Sequence, residues 1–311
     1  WFGGHNVAAG TLEAGNMMAF MTYAMQILMS FMMMTMIFVL VPRAQASAVR
    51  INEVLDMKNE IINPEQPKEI KEEKNLRFNQ VAFRYEGAEN PAICKVDFEA
   101  KSGETVAIIG GTGSGKSTLV NLIPRFYDIE KGTIEINRQD IRNLNQKDLR
   151  DRIGFVPQKA LLFTGTIRSN LLYGYPDATE EDMWKALEIA QAKEFVSELE
   201  EGLDSIVEQG GGNFSGGQRQ RLCIARALIK PADIYVFDDS FSALDFKTDA
   251  LLRKALKESI TDAIIVIVAQ RISTVVDADT ILVLDEGIMV GKGNHNQLKE
   301  TNQTYQEIIN S

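Results

Sequence analysis

The longest apolar stretch of the chain lies near its start. No Asp, Glu, Lys or Arg occurs between Glu13 and Arg43, and residues 17–41 (MMAFMTYAMQILMSFMMMTMIFVLV) are apolar on almost every helical face. A helix needs about 20 such residues to cross the hydrocarbon core of a bilayer. Buried helices of soluble proteins rarely stay apolar all round for this length, and the run exceeds the apolar part of a signal peptide. The pattern therefore predicts one membrane-spanning helix at about residues 15–41.

The residues on either side of this span predict its orientation. Arg43, Arg50 and Lys58 follow the span, whereas only Glu13 lies just before it. Basic residues next to a span favour the cytoplasmic side. We therefore expect an integral protein of the plasma or inner membrane, in contact with the lipid bilayer, with everything after residue 43 in the cytoplasm.

The pattern changes after the span. Residues 44–57 keep a helical spacing of apolar positions, and residues 59–74 form a charged, proline-bearing linker. Short β-rich apolar runs then alternate with helical stretches; these runs are RFNQVAF, TVAIIG, RIGFVP, DIYVFD, AIIVIVA and TILVLD. Such alternation is typical of an α/β domain with a largely parallel, buried sheet. We predict a membrane segment with its cytoplasmic extension at 1–58, a linker at 59–74 and an α/β domain at 75–311.

Composition narrows the class of protein. The chain has 311 residues, of which 45% are hydrophobic and 24% charged, and this excludes disordered and collagen-like classes. Its 33 basic and 43 acidic residues give a formal net charge of -10. That acidic balance argues against the broad basic face that nucleic-acid binding requires, so we predict no nucleic-acid partner. Cys94 and Cys223 are too few for a disulfide framework, which suits a reducing compartment.

The strongest chemical signal is the glycine-rich run GGTGSGKS at residues 110–117, which matches G-x-x-x-x-G-K-[ST]. It follows a strand-like run and precedes a helix-like one, as this phosphate-binding motif requires. The glycines let the backbone wrap around phosphate oxygens, and the N–H groups at the helix start attract negative charge. Lys116 neutralises β/γ-phosphate charge, and the Ser117 hydroxyl ligates Mg²⁺. The predicted ATP contacts in this segment are Gly110, Thr112, Gly113, Ser114, Gly115, Lys116, Ser117 and Thr118.

A second candidate metal ligand is Asp238, at the end of the apolar run IYVFD. Sheets of α/β proteins bind ligands at the carboxyl ends of their strands, and phosphate-loop ATPases hold Mg²⁺ with an aspartate there. Strands often end in Asp, so this signal is weak alone. Together with the upstream glycine-rich run it predicts a Mg²⁺ site formed by Ser117 and Asp238.

A third motif indicates a family. Residues 213–221, NFSGGQRQR, resemble the signature motif of ATP-binding cassette (ABC) proteins, and they stand shortly before Asp238 as in that family. Ser215 can cap the following helix while the glycines expose N–H groups to a phosphate. The chain thus resembles the last membrane helix and the cassette of an ABC exporter half-transporter. The resemblance implies a P-loop NTPase cassette with a RecA-like core, an antiparallel β subdomain and a helical signature subdomain.

The resemblance also implies roles for single residues. Tyr85 is similar to the aromatic that stacks on adenine, and Gln158 to the glutamine that touches Mg²⁺ and links the site to the membrane domain. Ser242 and Asp245, in SALD, resemble the loop that crosses to the partner cassette. In this family two cassettes dimerise head to tail, and each ATP lies between one chain's phosphate loop and the other's signature. The residues expected to complete the partner's site are Ser215, Gly216, Gly217 and Gln218.

Two positions depart from the family pattern. Asp239 stands where the family usually has the glutamate proposed as general base, and Gln270 stands where it has the switch histidine. The shorter carboxylate lies about 1 Å or more out of reach, a misplacement that can cost ~10²-fold in rate. Glutamine can hydrogen-bond a phosphate but has no protonatable imidazole. We interpret Asp239 and Gln270 as impaired catalytic positions of a degenerate ATP site.

The favoured hypothesis is one half of a heterodimeric exporter of the multidrug type, which couples ATP binding and hydrolysis to efflux of small hydrophobic molecules. The second half-transporter would supply the glutamate and histidine opposite this chain's signature. Two alternatives stay open: a catalytically idle half that regulates or scaffolds, and a homodimer with slow turnover. A soluble ABC ATPase acting on DNA or ribosomes conflicts with the membrane span and the acidic charge.

Overall fold

The computed structural model describes residues 1–57, 59 and 61–310. The chain divides into two compact units, Trp1–Glu60 and Ile61–Ser311. Lys58, which contributed to the predicted orientation of the span, lies outside the described residues. The predicted limit of the membrane segment at residue 58 therefore also lies outside them.

Residues 1–57 and 59 of the first unit contain two helices, α1 (Phe2–Ala8) and α2 (Ala14–Leu55). α2 has 42 residues, continues through Pro42 and is about 63 Å long at 1.5 Å per residue. Its most apolar window has a mean hydropathy of 2.2, and within the described residues it is the one helix long and apolar enough to cross a membrane. A single helix thus includes both the predicted span and most of the predicted extension.

Hydroxyl groups in α2 bond to the helix itself. The side chains of Thr22, Ser30 and Thr35 each donate to the carbonyl oxygen four residues earlier, at 2.9, 2.8 and 2.9 Å. A bilayer core offers no water to pair with polar groups, so internal hydrogen bonds of this kind are the available solution. These three hydroxyls therefore present no obstacle to a membrane-spanning role for α2.

The second unit is built on one ten-stranded sheet and a two-stranded ribbon. The strands are β1 (Asn75–Phe83), β2 (Ile93–Lys101), β3 (Thr105–Gly110), β4 (Lys131–Ile136), β5 (Gln139–Asp140), β6 (Ile153–Val156), β7 (Gly165–Thr166), β8 (Ile206–Val207), β9 (Ile234–Asp238), β10 (Ile264–Val268), β11 (Thr280–Asp285) and β12 (Ile288–Gly293). The order in the large sheet is β5-β4-β1-β2-β12-β11-β3-β10-β9-β6, and β7 pairs with β8.

Two kinds of strand pairing divide the large sheet. β11, β3, β10, β9 and β6 pair in parallel, whereas β2, β1, β4 and β5 pair antiparallel. β12 joins the two parts, antiparallel to β11 and parallel to β2. The prediction of an α/β domain with a parallel core and an antiparallel subdomain is confirmed.

In the described part of the second unit, ten helices surround the strands. They are α3 (Lys116–Asn121), α4 (Gln146–Asp151), α5 (Ile167–Gly174), α6 (Glu180–Ile189), α7 (Lys193–Ser197), α8 (Gly216–Leu228), α9 (Phe246–Ser259), α10 (Ile272–Val275), α11 (His295–Thr301) and α12 (Gln303–Asn310). Short 3-10 turns occur at Ile141–Asn143, Gly202–Asp204 and Gln209–Gly211. α5 and α6 pack against α8, which forms the predicted helical subdomain between β6 and β9.

The parallel strands are buried on both faces. On β3, Ala107 and Ile109 enter one hydrophobic cluster, while Val106 and Ile108 enter another. β9 and β10 contribute alternate residues to the same two clusters. This arrangement explains why these strands are continuous apolar runs in the sequence.

A buried polar network joins the antiparallel subdomain to the parallel core. Asn137 follows β4 and donates from Nδ2 to Asp233 Oδ2 at 3.0 Å, and Asp233 directly precedes β9. The two residues are 0% and 4% exposed. Lys74 and Arg152 lie 3.8 and 3.4 Å from the same carboxylate. The charge of Asp233 is therefore buried but paired, as a stable interior requires.

Removing the buried donor is expected to destabilise the second unit. Asn137→Ala should lower its free energy of unfolding by at least about 1–3 kcal/mol, because Asp233 Oδ2, Lys71 O and Asn75 N each lose a hydrogen bond and alanine tolerates the φ angle of +53° less well than asparagine. Chemical denaturation checks this value. The control is Asn143→Ala, a change at an exposed position, which should alter the free energy by at most about 0.5 kcal/mol. Equal effects of the two variants would contradict a stabilising role for the network.

Candidate nucleotide site

The glycine-rich run forms the loop between β3 and α3, at the carboxyl ends of the parallel strands. Gly113 and Gly115 have φ angles of +82° and +96°, in the left-handed region that favours glycine. A Cβ atom on Gly110 would collide with the carbonyl oxygen of Leu284 on β11. A Cβ atom on Gly111 or Gly113 would meet no atom within 4 Å. The loop is thus packed against the sheet on one side and open on the other.

Lys116 begins α3 and is held within its own loop. Its Nζ donates to the carbonyl oxygens of Gly110 and Gly111 at 2.8 and 2.7 Å, and the residue is 9% exposed. Burial lowers the pKa of Lys116, and the negative charges of Asp239 and Asp238 act in the opposite direction. The ammonium group therefore lies near two carboxylates at the base of the loop.

Two of the three predicted Mg²⁺ ligands contact each other. Ser117 Oγ donates to Asp238 Oδ1 at 3.0 Å. Burial raises the pKa of Asp238, the hydrogen bond from Ser117 lowers it, and the charge of Asp239 raises it further. Hydroxyl, carboxylate and amide oxygens are the ligand atoms that Mg²⁺ takes, and Gln158, whose side chain carries an amide oxygen, lines the same cavity as Ser117. The donor set of Ser117, Asp238 and Gln158 fits a Mg²⁺ ion.

A cavity of about 560 Å³ opens over the loop. Its volume is typical of small-molecule sites. The predicted residues on its wall are Tyr85, Thr112, Gly113, Gly115, Lys116, Ser117, Thr118, Gln158, Asp239 and Gln270. The predicted residues Gly110, Ser114 and Asp238 are buried. Ser114 Oγ has no hydrogen-bond partner within the part of the chain that the structure describes, so a donor or acceptor atom inside the loop is still unused.

Part of the cavity wall is aromatic. The hydroxyl of Tyr85 hydrogen-bonds with Thr118 Oγ1 at 3.0 Å. Its ring packs edge-on against Phe83 and Tyr127, with centroid distances of 4.8 and 5.2 Å. Tyr85 is 36% exposed, so its fixed ring still presents surface on which a planar base can stack.

The two departures from the family pattern contact each other, and Asp239 also contacts Gln158. Asp239 directly follows β9 and is 9% exposed. Its Oδ2 accepts hydrogen bonds from Gln270 Nε2 at 2.8 Å and from Gln158 Nε2 at 3.3 Å. One carboxylate oxygen therefore receives two amide donors.

The signature residues lie elsewhere on the second unit. Ser215 caps the N-terminus of α8: its Oγ accepts from Gln218 N at 3.3 Å, and Gln218 Oε1 accepts from Ser215 N at 2.9 Å. Gly217 lies beside the loop at 242–245, because a Cβ atom there would be 3.4 Å from Ala243 O. Among the described residues, the wall of the cavity over the phosphate loop includes none of Ser215, Gly216, Gly217 and Gln218.

The predicted dimer-loop residues have separate local roles. Ser242 Oγ donates to the carbonyl oxygen of Asp239 at 2.9 Å, which ties this loop to the cavity wall. Asp245 caps α9, where its Oδ1 accepts from Thr248 N at 3.0 Å. Hydrogen bonds from Thr248 lower the pKa of Asp245. Both predicted residues are exposed on the domain surface.

Several cavity residues were missed by sequence reasoning; they are Pro91, Ala92, Val268, Glu286 and Gly287. Gly287 N donates to Ser114 O at 3.1 Å, and Gly287 O accepts from Cys94 N at 2.8 Å. The turn between β11 and β12 is therefore bonded to the phosphate loop. Glu286-Gly287 between two strand-like runs is a signal for a hairpin turn, but that signal does not indicate which loop the turn contacts.

The loop geometry generates a matched pair of variants. Gly110→Ala is expected to weaken binding of a fluorescent ATP analogue on the order of tenfold or more, because the added methyl group would force the loop away from β11. Gly111→Ala should keep the affinity within about threefold, since its methyl group would enter open space. Fluorescence titration measures both affinities, and circular dichroism reports whether each variant is folded. Equal affinities would show that contact with β11 does not shape the loop.

Comparisons with known proteins identify the family. Residues 93–242 match the family model described as ABC transporter. An uncharacterized ABC transporter ATP-binding protein of Mycobacterium tuberculosis is 45% identical over 316 residues, which cover 100% of this chain and 54% of the relative. An ATP-dependent lipid A-core flippase of Vibrio vulnificus is 41% identical over 234 residues, which cover 75% of this chain and 40% of the relative. The chain spans about half the length of the curated relatives it matches.

A solved structure supports the same family. The structure of a bacterial Atm1-family ABC exporter with ATP bound aligns with a TM-score of 0.81 and 32% sequence identity. The alignment covers 96% of this chain and 53% of that chain. The chain therefore belongs to the ABC transporters and contains an ATP-binding domain of the exporter type, preceded by one helix that could span a membrane.

Proposed function

We propose that this chain is the ATP-binding half of a dimeric ABC exporter, in which ATP binding and hydrolysis between two cassettes drive efflux across a membrane. The cavity over the phosphate loop supports ATP binding, with Lys116 at the phosphates, Ser117 and Asp238 at Mg²⁺, and Tyr85 at the adenine. The similarity to an ABC exporter with ATP bound supports the exporter role.

We further propose that α2 crosses the bilayer and that the ATP-binding domain is cytoplasmic. Arg43 and Arg50 follow the apolar part of α2, and basic residues favour the cytoplasmic side. The transported substrate is a small hydrophobic molecule. Similarity to an ATP-dependent lipid A-core flippase supports a substrate with an apolar part.

The ATP site on this chain's own phosphate loop is degenerate. The observation that carries this proposal is the hydrogen bond of 2.8 Å from Gln270 Nε2 to Asp239 Oδ2. A general base must accept a proton from the attacking water, and two acceptor positions of this carboxylate, both on Oδ2, are already used by Gln270 and Gln158. Loss of general-base help costs ~10²–10⁴-fold in rate. The site therefore holds ATP without fast turnover.

The signature of this chain completes the competent site of a different cassette. Ser215 and Gly216 are exposed at the start of the 13-residue helix α8, where backbone N–H groups attract a phosphate. A partner half-transporter with the glutamate and the histidine would hydrolyse ATP against this signature. Two copies of the present chain would instead form two impaired sites, so the proposed assembly is a heterodimer.

Loss of the signature serine is expected to slow hydrolysis at the competent site. Ser215→Ala should lower ATP turnover by the purified heterodimer by about tenfold or more, because a hydrogen-bonding group opposite the partner's ATP is removed. The measurement is phosphate release under saturating Mg-ATP. If turnover stayed at the level of the unmodified heterodimer, the role proposed for this signature would be wrong.

A second capping residue provides the matched control for Ser215. Asn294 caps α11, and its Oδ1 accepts from Gln297 N at 3.0 Å. Asn294→Ala should cost about 1 kcal/mol of stability, as loss of the Ser215 cap does, yet leave turnover unchanged. A similar fall in turnover for both variants would trace the Ser215 effect to helix stability alone.

Removing the charge of Asp239 is expected to change little. Asp239→Asn in the heterodimer should alter ATP turnover by less than about twofold, because this side chain is not the base for hydrolysis. The corresponding change of the partner's glutamate to glutamine is the control and should lower turnover by ~10² or more. Collapse of turnover in Asp239→Asn would refute the degenerate site.

A further inference from the structure

Asp239 joins three loops around the nucleotide cavity. Its backbone N–H donates to Val268 O at 3.1 Å, and its carbonyl oxygen accepts from Ser242 Oγ at 2.9 Å. Its carboxylate accepts from Gln158, on the loop after β6, and from Gln270, on the loop after β10. We call the side chains of Asp239, Gln158 and Gln270 the amide clasp. The clasp is the point at which these loops are held together.

The direction of the Asp239 side chain is fixed. Its φ angle of +47° lies in the left-handed region, which aspartate tolerates better than most residues but still adopts rarely. Such a conformation persists where the surroundings over-determine it. The four hydrogen bonds to Val268, Ser242, Gln158 and Gln270 supply that constraint. Asp239 is therefore a rigid acceptor for the amide groups around it.

The clasp determines which end of the Gln158 amide faces away from Asp239. An ionised carboxylate has acceptor atoms only, so the NH₂ group of Gln158 must point to it, as the Nε2 to Oδ2 distance of 3.3 Å indicates. Gln158 Oε1 is then turned away from Asp239. Mg²⁺ takes oxygen ligands, so this orientation of the amide is the one that metal binding requires.

We propose that Asp239 is a positioning residue for Gln158, and that the amide clasp sets the Mg²⁺ affinity of this ATP site. Asp239 acts through the Gln158 amide, and Gln270 holds the same Oδ2 atom in place. Hydrogen-bond partners of metal ligands typically change metal affinity by about 10- to 100-fold when they are removed. The proposal rests on the proposed function, because it gives the carboxylate a task at a site where it is not the general base.

Two variants of Asp239 separate the hydrogen bond from the charge. Asp239→Asn and Asp239→Ala both remove the charge, but only Asn keeps an oxygen that can accept from Gln158. The readout is the Mg²⁺ concentration at half-maximal binding of a fluorescent ATP analogue to the purified full-length protein. It should rise by about tenfold or more in Asp239→Ala and by less than about threefold in Asp239→Asn. Equal values in the two variants would overturn the proposal.

A double-variant cycle tests the link to Gln158. Gln158→Ala should raise the half-maximal Mg²⁺ concentration about as much as Asp239→Ala, and the double variant should raise it no further. Independent, multiplying increases would mean that Asp239 does not act through Gln158. Binding of the analogue in EDTA is measured for each protein, and its Mg²⁺ requirement is expressed relative to that metal-free affinity, which separates metal binding from any effect on the cavity itself.

The left-handed backbone calls for one more variant. At the φ angle of +47°, alanine has a Cβ atom that strains the backbone and no polar side chain to stabilise it. Glycine adopts this φ angle readily. If Asp239→Ala fails to fold or loses binding in EDTA, Asp239→Gly takes its place with the same expected increase. An unchanged Mg²⁺ requirement in Asp239→Gly would overturn the proposal.

Heterodimer turnover distinguishes failure of the clasp from failure of the proposed function. One outcome is that the three Asp239 variants (Ala, Gly and Asn) have the same Mg²⁺ requirement while the Asp239→Asn heterodimer hydrolyses ATP normally. This outcome would refute the role of the amide clasp and would leave the degenerate site as proposed. If turnover of the Asp239→Asn heterodimer collapses, Asp239 is a base and the proposed function fails.

Discussion

The site depends on one constraint, the fixed register of the parallel strands β3, β10 and β9. Val268 lies opposite Ile108 on one side and Asp238 on the other. These strands are buried on both faces, so a slip of one residue would exchange the side chains between two packed clusters. The register therefore brings the chain that follows each strand to the same edge of the sheet. The phosphate loop, Asp239 and Gln270 meet there for that reason.

The parts of this arrangement that are local in sequence could be predicted. The sequence predicts roles for Lys116 and Ser117 because they belong to a recognisable motif. It predicts a role for Asp238 because this residue ends an apolar run. The half-buried strands are harder to recognise from the sequence. β2 alternates buried with more exposed residues, and β12 contains no fully buried residue, so neither forms a continuous apolar run. The contact of Gly287 with the phosphate loop was missed because it depends on where β12 lies in the sheet.

The sequence identified Asp239 and Gln270 as separate departures from a family pattern, but it could not predict that they touch. Asp239 is 31 residues from Gln270 and 81 residues from Gln158, and their hydrogen bonds depend on a left-handed backbone and on side-chain rotamers. Residues that share a hydrogen bond do not contribute independently. Asp239 and Gln270 are thus physically coupled, because a change in either side chain removes the hydrogen bond that they share.

The length of α2 has an electrostatic consequence. Residues 42–55 of this helix extend about 21 Å beyond the apolar stretch, at 1.5 Å per residue. In the proposed orientation, with α2 along the bilayer normal, the end of this helix at Leu55 lies outside the anionic headgroups. The distance exceeds one Debye length, which is about 8 Å. A protein with a net charge of -10 would be repelled at the lipid surface itself. In that orientation, residues 42–55 would act as a spacer between the apolar stretch and the residues that follow Leu55.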